Sequence, residues 1–278
     1  MREDTGSHTA VGVAMLRAAH LLLDPGPSIL EDSVILQLLG GETGEWIIGH
    51  SSRYQTPGAR ALRTHVLVRS RYQEDCLEEA CARGVSQYVL LGAGLDTFPY
   101  RQPPWAAGLR IVEADHPSSQ AHKRDLLARA GVTVPPNVSY LPLDLATSSL
   151  ATALGESGLD PREPVFISWL GVMSYLSPRV NRRLIREMGS LPPGSELVFT
   201  FSRERTAGKS DTLASLAAAH GEPWLTRLDP PELESWLRDA GFSAIHFLEP
   251  EEIRRRYFGD PEITLPVPGR GSIVRAVV

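Results

Sequence analysis

The sequence predicts an α/β fold: a seven-stranded, mostly parallel β-sheet with an antiparallel terminal hairpin and an N-terminal helical lid. Two patterns predict it. Residues 1–84 carry apolar residues at helical spacing, whereas short apolar segments alternate with helical stretches from residue 85 onward. This alternation is typical of βαβ units, in which helices cover both faces of a parallel sheet. We therefore expect a helical cap over residues 1–84 and an α/β core over residues 85–278.

The cap contains two shorter predicted helices and a long one. The first, residues 9–23, stops at an Asp-Pro-Gly-Pro sequence, and the second, residues 28–41, ends on two glycines. A segment that contains Gly44 and Pro57 is predicted as a loop. Residues 60–84 then form an amphipathic helix, which a final glycine ends.

Seven apolar segments of strand length follow the cap. They are residues 87–94, 109–116, 138–145, 164–172, 195–202, 242–250 and 271–278. Four helical stretches lie between them, at residues 116–131, 147–158, 177–190 and 229–241. No helix is expected between the last two strands, which are predicted to pair as an antiparallel hairpin at the sheet edge.

The composition argues against several classes of partner. The net charge of -5 gives no basic face for nucleic acid. No apolar run reaches the roughly 20 residues of a membrane helix, and the first residues lack the pattern of a signal peptide. Cys76 and Cys81 point in different directions on one predicted helix, so we expect free thiols and no metal. A cytoplasmic enzyme without a membrane or nucleic-acid partner is expected.

The first strand breaks into a glycine turn, Gly92-Ala93-Gly94, where an α/β sheet binds its ligand. Missing side chains at such a turn let a ligand approach the backbone. A dinucleotide site needs a third glycine, but Thr97 stands in its place, beside Asp96. The Asp96 carboxylate repels a pyrophosphate and attracts the ammonium and sulfonium of S-adenosylmethionine. The turn therefore favours that cofactor over NAD.

Further acids follow the next two strands. Glu113 and Asp115 point to one face of the second strand, where an acid holds a ribose diol. We choose Asp115 for that role, with Glu113 as the near alternative. After the third strand, Asp144 is placed to accept from an adenine amino group, with Leu145 against the ring. The alternative interpretation is a simple tight turn with acids that cap helices.

These segments resemble the leucine carboxyl methyltransferase superfamily, especially its bacterial branch of S-adenosylmethionine-dependent methyltransferases. The resemblance rests on LLGAGLDTFPYR, VEADHPSSQAHKRDLLARAG, LPLDL, FISWLGVMSYLSP and GEPW, and also on TAVGVAMLRAAH, VRSRYQED and RRRYF. It spans nearly the whole chain. It implies a class I methyltransferase core, which is Rossmann-like, with S-adenosylmethionine as cofactor and S-adenosylhomocysteine as product.

The resemblance also assigns residues outside the glycine turn. It implies that Arg69 pairs with the methionine carboxylate of the cofactor, which suits the bidentate geometry of a guanidinium. Arg17 is a second candidate for this carboxylate or for closing the lid. Trp169 stands where the eukaryotic protein-methylating members have a glutamate, so methylation of a phosphatase C-terminal leucine is in doubt. Trp169 is expected to wall the cofactor pocket or to be core.

Methyl transfer is an in-line displacement that depends on alignment and exclusion of water. A carboxylate acceptor needs no base, whereas a phenol benefits from one. Tyr175 is a candidate to orient the acceptor. His116 is a candidate base and cofactor contact, although it reads equally well as a helix entry. Candidate acceptor-binding residues come from HGEPWLTR: Glu222, Trp224 and Arg227.

The predicted function is O-methylation of a small-molecule carboxylate or phenol, with secondary metabolism as the expected setting. Two alternatives remain open: a protein or peptide carboxyl methyltransferase, which needs an open groove, and a non-catalytic cofactor-binding regulator. An NAD-dependent dehydrogenase is disfavoured by Thr97. The sequence leaves the acceptor and the oligomeric state undetermined.

Overall fold

A computed structural model describes residues 7–203, 218–219, 221–269 and 271–278. Five helices precede the sheet: α1 (His8–Leu23), α2 (Ser33–Leu39), α3 (Gly41–Gly49), α4 (Ser51–Tyr54) and α5 (Pro57–Ala82). The Ser7 side chain caps α1 by accepting from the Ala10 N–H, and Thr56 caps α5 in the same way. A proline at the first position of α5 has its φ angle preset for a helix.

The prediction of a loop between the second and the long helix is wrong in part, because α3 and α4 lie there. Glycines at positions 44 and 49 disfavour a helix by propensity alone. However, Ile47 is fully buried in the cluster that α1 and α2 build. Burial of this one side chain offsets the low propensity, so tertiary packing decides the local structure.

The sheet has seven strands in the order β3-β2-β1-β4-β5-β7-β6. The strands are β1 (Gln87–Leu91), β2 (Arg110–Asp115), β3 (Val138–Pro142), β4 (Val165–Trp169), β5 (Glu196–Thr200), β6 (Ala244–Phe247) and β7 (Ile273–Val277). The first five are parallel, and β7 runs antiparallel between β5 and β6. The predicted mostly parallel sheet with an antiparallel terminal pair is confirmed.

Helices cover both faces of this sheet. In the part of the chain that the structure describes, the core helices are α6 (Pro117–Arg129), α7 (Leu150–Glu156), α8 (Pro178–Gly189), α9 (Pro230–Asp239) and α10 (Pro250–Tyr257). Helix α10 lies between β6 and β7, where no helix was expected; Ile253, its fully buried residue, packs on the same cluster as α5. The eight-residue helix is short, and its single buried anchor leaves little apolar periodicity to detect.

Alternate residues of the strands divide between two apolar clusters. On one face, Tyr88 and Phe166 pack against Leu77 of α5. On the other face, Ile167 and Phe199 pack with residues of α7, α8 and α9. Since β1 to β5 are parallel, their carboxyl ends meet at one edge, which is where sheets of this kind bind ligands in a cleft between the turns.

Within the described residues, no helix is both long and apolar enough to cross a bilayer. The same part of the chain brings no three His, Cys, Asp or Glu side chains into a metal-binding group. Cys76 and Cys81 are both free thiols.

Candidate functional site

The glycine turn after β1 requires glycine for two reasons. Gly92 has φ 73° and Gly94 has φ 47°, conformations that other residues rarely adopt. A Cβ at Gly92 would also overlap a methyl group of Val172 in the turn after β4. The turn is anchored to β2, because the Gly92 N–H donates to the Ala114 carbonyl at 2.7 Å. Ala93, between the glycines, is buried.

Asp115 closes β2 and faces this turn. Its Oδ2 accepts from the Gly94 N–H at 2.6 Å, and its Oδ1 accepts from the His116 N–H at 2.7 Å. Burial raises the pKa of the carboxyl, and the two backbone donors oppose that rise. The carboxylate is therefore fixed beside the glycine turn.

Glu113, two residues earlier, is buried inside the protein. Its carboxylate accepts from the Lys123 ammonium at 2.7 Å and from the Tyr100 hydroxyl at 2.7 Å, through different oxygens. Glu113 and Lys123 are each only 1% exposed. The pair fastens α6 to β2, so the two acids that the sequence placed on one face have different surroundings.

Asp144 and Leu145 lie beyond the end of β3. The Asp144 carboxylate accepts from the Ala146 N–H at 2.9 Å and from the Thr147 hydroxyl at 3.0 Å. Leu145 is buried in the cluster beneath α7 and α8. Asp144 thus bonds within its own turn and caps no helix, since Ser149 caps α7. The turn stands beside β2 at the same sheet edge.

Arg69 comes from α5 and reaches the turn after β4. Its guanidinium lies against Gly171, which has φ 73°, with Nη1 2.9 Å from the place where a Cβ would stand. The Nε atom is buried without a hydrogen-bond partner. Burial, followed by the charge of Arg17, lowers the pKa of Arg69 to about 10. Among the described residues, no carboxylate forms an ion pair with this cation.

Two side chains oppose that lowering of the Arg69 pKa, Tyr175 and Asp96. The Asp96 Oδ1 accepts from the Phe98 N–H at 2.9 Å. Thr97, in the place of a third glycine, is fully buried, and its hydroxyl donates to Asp32 at 2.5 Å. Thr97 therefore fastens the turn to the cap.

The first turn of α1 covers the glycine turn. A Cβ at Gly94 would stand 3.5 Å from the Ala10 Cβ. Arg17 lies seven residues after Ala10 on α1. Its guanidinium donates to the Leu95 carbonyl and forms an ion pair with Asp32 at 3.0 Å. These contacts tie α1 to the segment after β1 and to Asp32; the lid-closing role of Arg17 stays a prediction.

Glu222 fastens the same helix from the other side. Its Oε2 accepts from the Thr9 N–H at 3.2 Å and from the Thr9 hydroxyl at 2.5 Å. The segment that carries Glu222 is attached to the turn after β4, because the Leu225 N–H donates to the Ser174 carbonyl at 2.7 Å. Tyr175 is the next residue in that turn.

Trp224 and Arg227 lie in this segment. The Trp224 indole Nε1 is buried without a hydrogen-bond partner. The Arg227 guanidinium stacks over the Trp224 ring, 5.5 Å from its centroid. The structure thus brings Tyr175, Glu222, Trp224 and Arg227 to one side of the cleft, next to the turn after β4.

His116 and Trp169 are embedded in secondary structure. His116 caps α6, with its Nδ1 accepting from the Ser118 N–H at 3.3 Å. Trp169 has no accessible surface, and its ring centroid is 6.0 Å from that of Phe199. The observed contacts of His116 are those of a helix N-cap, and those of Trp169 are core packing. The Nε2 atom of His116 takes no part in the N-cap.

Two residues of this arrangement were not found from the sequence. Gly171 makes room for Arg69, and Thr9 fastens α1 to Glu222. Gly171 had a detectable signal, a glycine directly after an apolar strand, which is the same pattern that identified Gly92. Thr9 had none, since its partner is 213 residues away.

The comparison with known families matches residues 10–189 to the model for leucine carboxyl methyltransferase. The chain belongs to the leucine carboxyl methyltransferase family. The matched range includes the glycine turn, Asp115, Arg69 and the turn after β4. The segment with Glu222 lies beyond it.

Two relatives of this chain are bacterial proteins. The chain is 33% identical over 201 residues to YktD of Bacillus subtilis, named a "Putative S-adenosyl-L-methionine-dependent methyltransferase"; the match covers 70% of this chain and 66% of YktD. A protein of Mycobacterium sp. with the same description is 37% identical over 132 residues, which cover 46% of this chain and 42% of that one. The chain therefore spans less than two thirds of these relatives.

Solved structures support the fold. A "putative methyltransferase" from Thermobifida fusca superposes with a TM-score of 0.61 at 18% identity, covering 99% of this chain and 96% of that one. A DUF574 family protein from Streptomyces avermitilis gives 0.60 at 17% identity, with 99% and 98% coverage. At these identities the similarity shows the class I methyltransferase architecture.

Proposed function

We propose that this member of the leucine carboxyl methyltransferase family is an S-adenosylmethionine-dependent O-methyltransferase that acts on a small-molecule carboxylate or phenol. The observation that carries the proposal is the covered cleft. Ala10 lies over Gly94, and Glu222 holds Thr9. Such a cover favours a small acceptor, because a protein substrate needs an open groove. Secondary metabolism and the cytoplasm are the proposed setting.

The described residues fit the cofactor. Arg69 has a buried, unpartnered Nε, which a methionine carboxylate satisfies as a bidentate partner. Each Asp115 oxygen accepts one backbone N–H, and an ionised carboxylate has about four acceptor sites, so ribose hydroxyls can donate to it. Glu113 is already engaged by Lys123 and Tyr100, which favours Asp115 over Glu113 for this role.

When bound, the cofactor supplies an electrophilic methyl group on a sulfonium. The chain positions the acceptor and excludes water. Tyr175 lies close enough to Arg69 to affect its pKa and is proposed to orient the acceptor. Trp224 offers a buried indole N–H, and an acceptor oxygen would satisfy it. A carboxylate acceptor is already ionised at neutral pH, so no base is needed; for a phenol, His116 Nε2 is the candidate.

The proposal is tested by methyl transfer from labelled S-adenosylmethionine to two acceptor panels. One panel holds small carboxylates and phenols, and the other holds peptides with a free C-terminal carboxylate. We expect label in the small molecules only. Asp115→Asn should lose transfer together with S-adenosylhomocysteine binding, while Asp125→Asn, an exposed change on α6, should lose neither. Label in peptides alone, or binding of NAD without S-adenosylhomocysteine, would refute the proposal.

A further inference from the structure

Gln73 is an anomaly of helix α5. Its side chain has no accessible surface, and both its Nε2 and its Oε1 lack a hydrogen-bond partner. Burying a carboxamide without partners costs free energy, because the group loses its hydrogen bonds to water. Gln87 shows the ordinary arrangement, since its Nε2 donates to the Asp160 carbonyl at 3.0 Å and its Oε1 accepts from the Asp160 N–H at 2.6 Å.

The position of Gln73 makes this anomaly informative. Arg69, Gln73 and Leu77 follow one another at four-residue spacing, so they share a face of α5. Leu77 is fully buried in the core, whereas Arg69 reaches the turn after β4. Gln73 therefore lies one turn from the core residue Leu77 on one side and one turn from Arg69, the residue proposed to hold the cofactor carboxylate, on the other. An apolar side chain would fill such a position at no polar cost.

The two unpartnered groups of this row are complementary to one kind of ligand. Arg69 offers a buried N–H, and Gln73 offers an amide donor and a carbonyl acceptor on one planar group. An α-amino carboxylate presents a carboxylate and an ammonium on adjacent carbons. The donors of Arg69 and Gln73 match its carboxylate, and the Gln73 carbonyl matches its ammonium.

We propose that Gln73 is a second contact for the amino-acid end of the cofactor, next to Arg69. The inference rests on the proposed function, because the ligand is S-adenosylmethionine. Gln73 is covered in this structure, so the contact requires a side-chain movement on binding. Arg69 is only partly buried and its Nε has no hydrogen-bond partner, so a ligand carboxylate does not have to displace an existing partner of that atom.

The test compares two ligands and three proteins by calorimetry. S-adenosylhomocysteine carries the α-amino carboxylate, and 5′-methylthioadenosine keeps the nucleoside and thioether without it. For Gln73→Met we expect at least tenfold weaker binding of S-adenosylhomocysteine and less than twofold change for 5′-methylthioadenosine. The ligand-free melting temperature should stay the same or rise, because an unsatisfied amide is removed.

Gln87→Met is the matched control, since it removes a buried carboxamide whose partners are in place. It should lower the melting temperature and leave both affinities unchanged. The inference is wrong if Gln73→Met binds both ligands like the wild type, weakens both equally, or melts as early as Gln87→Met. A wild type that binds neither ligand would overturn the proposed function itself, which keeps the two failures distinct.

Discussion

At the scale of single residues, the site depends on two glycines. Neighbouring side chains occupy the space that a β-carbon would take at each of them. Val172 fills the space beside Gly92, and the Arg69 guanidinium fills the space beside Gly171. Both glycines have φ 73°, a conformation that a β-carbon disfavours. The position of Arg69, and with it the proposed carboxylate contact, therefore depends on Gly171.

His65 provides a pH-dependent prediction at this scale. It precedes Arg69 by one turn of α5, and burial, followed by the charge of Arg69, lowers its pKa to about 3. Below pH 6.5 the unfolded chain therefore binds a proton that the folded chain does not bind. The contribution of neutral His65 to stability is present above pH 6.5 and is lost as the pH falls toward 3, by about 1.4 kcal/mol per pH unit.

The measurement is the free energy of unfolding of wild type and His65→Asn between pH 7 and pH 5. Asparagine does not titrate, so the difference between the two proteins should change by about 2 kcal/mol over this interval. An imidazole NMR titration of the folded wild type should show His65 neutral at pH 5. A constant difference, or a midpoint near pH 6.5, would contradict the assigned environment.

At the scale of elements, the first turn of α1 lies over the glycine turn after β1, and Glu222 bonds to it. Glu222 accepts two hydrogen bonds from Thr9. Hydrogen bonds to charged groups contribute about 1.5–3 kcal/mol when buried, and this contact is only partly buried. We expect Thr9→Val to lower the opening free energy of the first turn by about 1 kcal/mol, which is about a fivefold faster hydrogen exchange.

Thr43→Val is the control for this element, because the Thr43 hydroxyl donates to the Leu39 carbonyl within the cap, away from Glu222. It should leave exchange in the first turn of α1 unchanged. Thr9→Val should also speed the dissociation of S-adenosylhomocysteine. If both variants exchange alike, Glu222 does not hold the cover closed.

At the scale of the whole molecule, the cap packs on the sheet through the cluster that contains Leu77 of α5. The proposed cofactor site lies where the cap and the sheet meet, so ligand binding should stabilise both together. At a concentration of 100 times its dissociation constant, S-adenosylhomocysteine should add about 2.7 kcal/mol to the free energy of unfolding. For a chain of this length, this is a rise in melting temperature of about 5–10 °C. Calorimetry with NAD as the comparison ligand should show no such rise. A single shifted transition is expected; a rise confined to one of two transitions would show that cap and core unfold separately.

Much of the fold could be predicted from the sequence because it is encoded locally. The alternation of apolar and helical segments predicted the seven strands, and the glycines at residues 92 and 94 predicted the turn after β1. Helices α3 and α10 were missed, since each depends on a buried anchor, Ile47 or Ile253, rather than on periodicity. For the site, the sequence placed Asp115 at the glycine turn and kept Glu113 as the near alternative.

By itself, the sequence determined the fold class, the glycine turn and the acids at the strand ends, because helical and strand periods and turn residues act over a few positions. Only the tertiary structure decided which side chains meet: Glu113 with Lys123, Arg69 with Gly171, and Thr9 with Glu222 across 213 residues. It also left Gln73 buried without partners. These relations depend on how distant elements pack, and no local pattern in the chain encodes them.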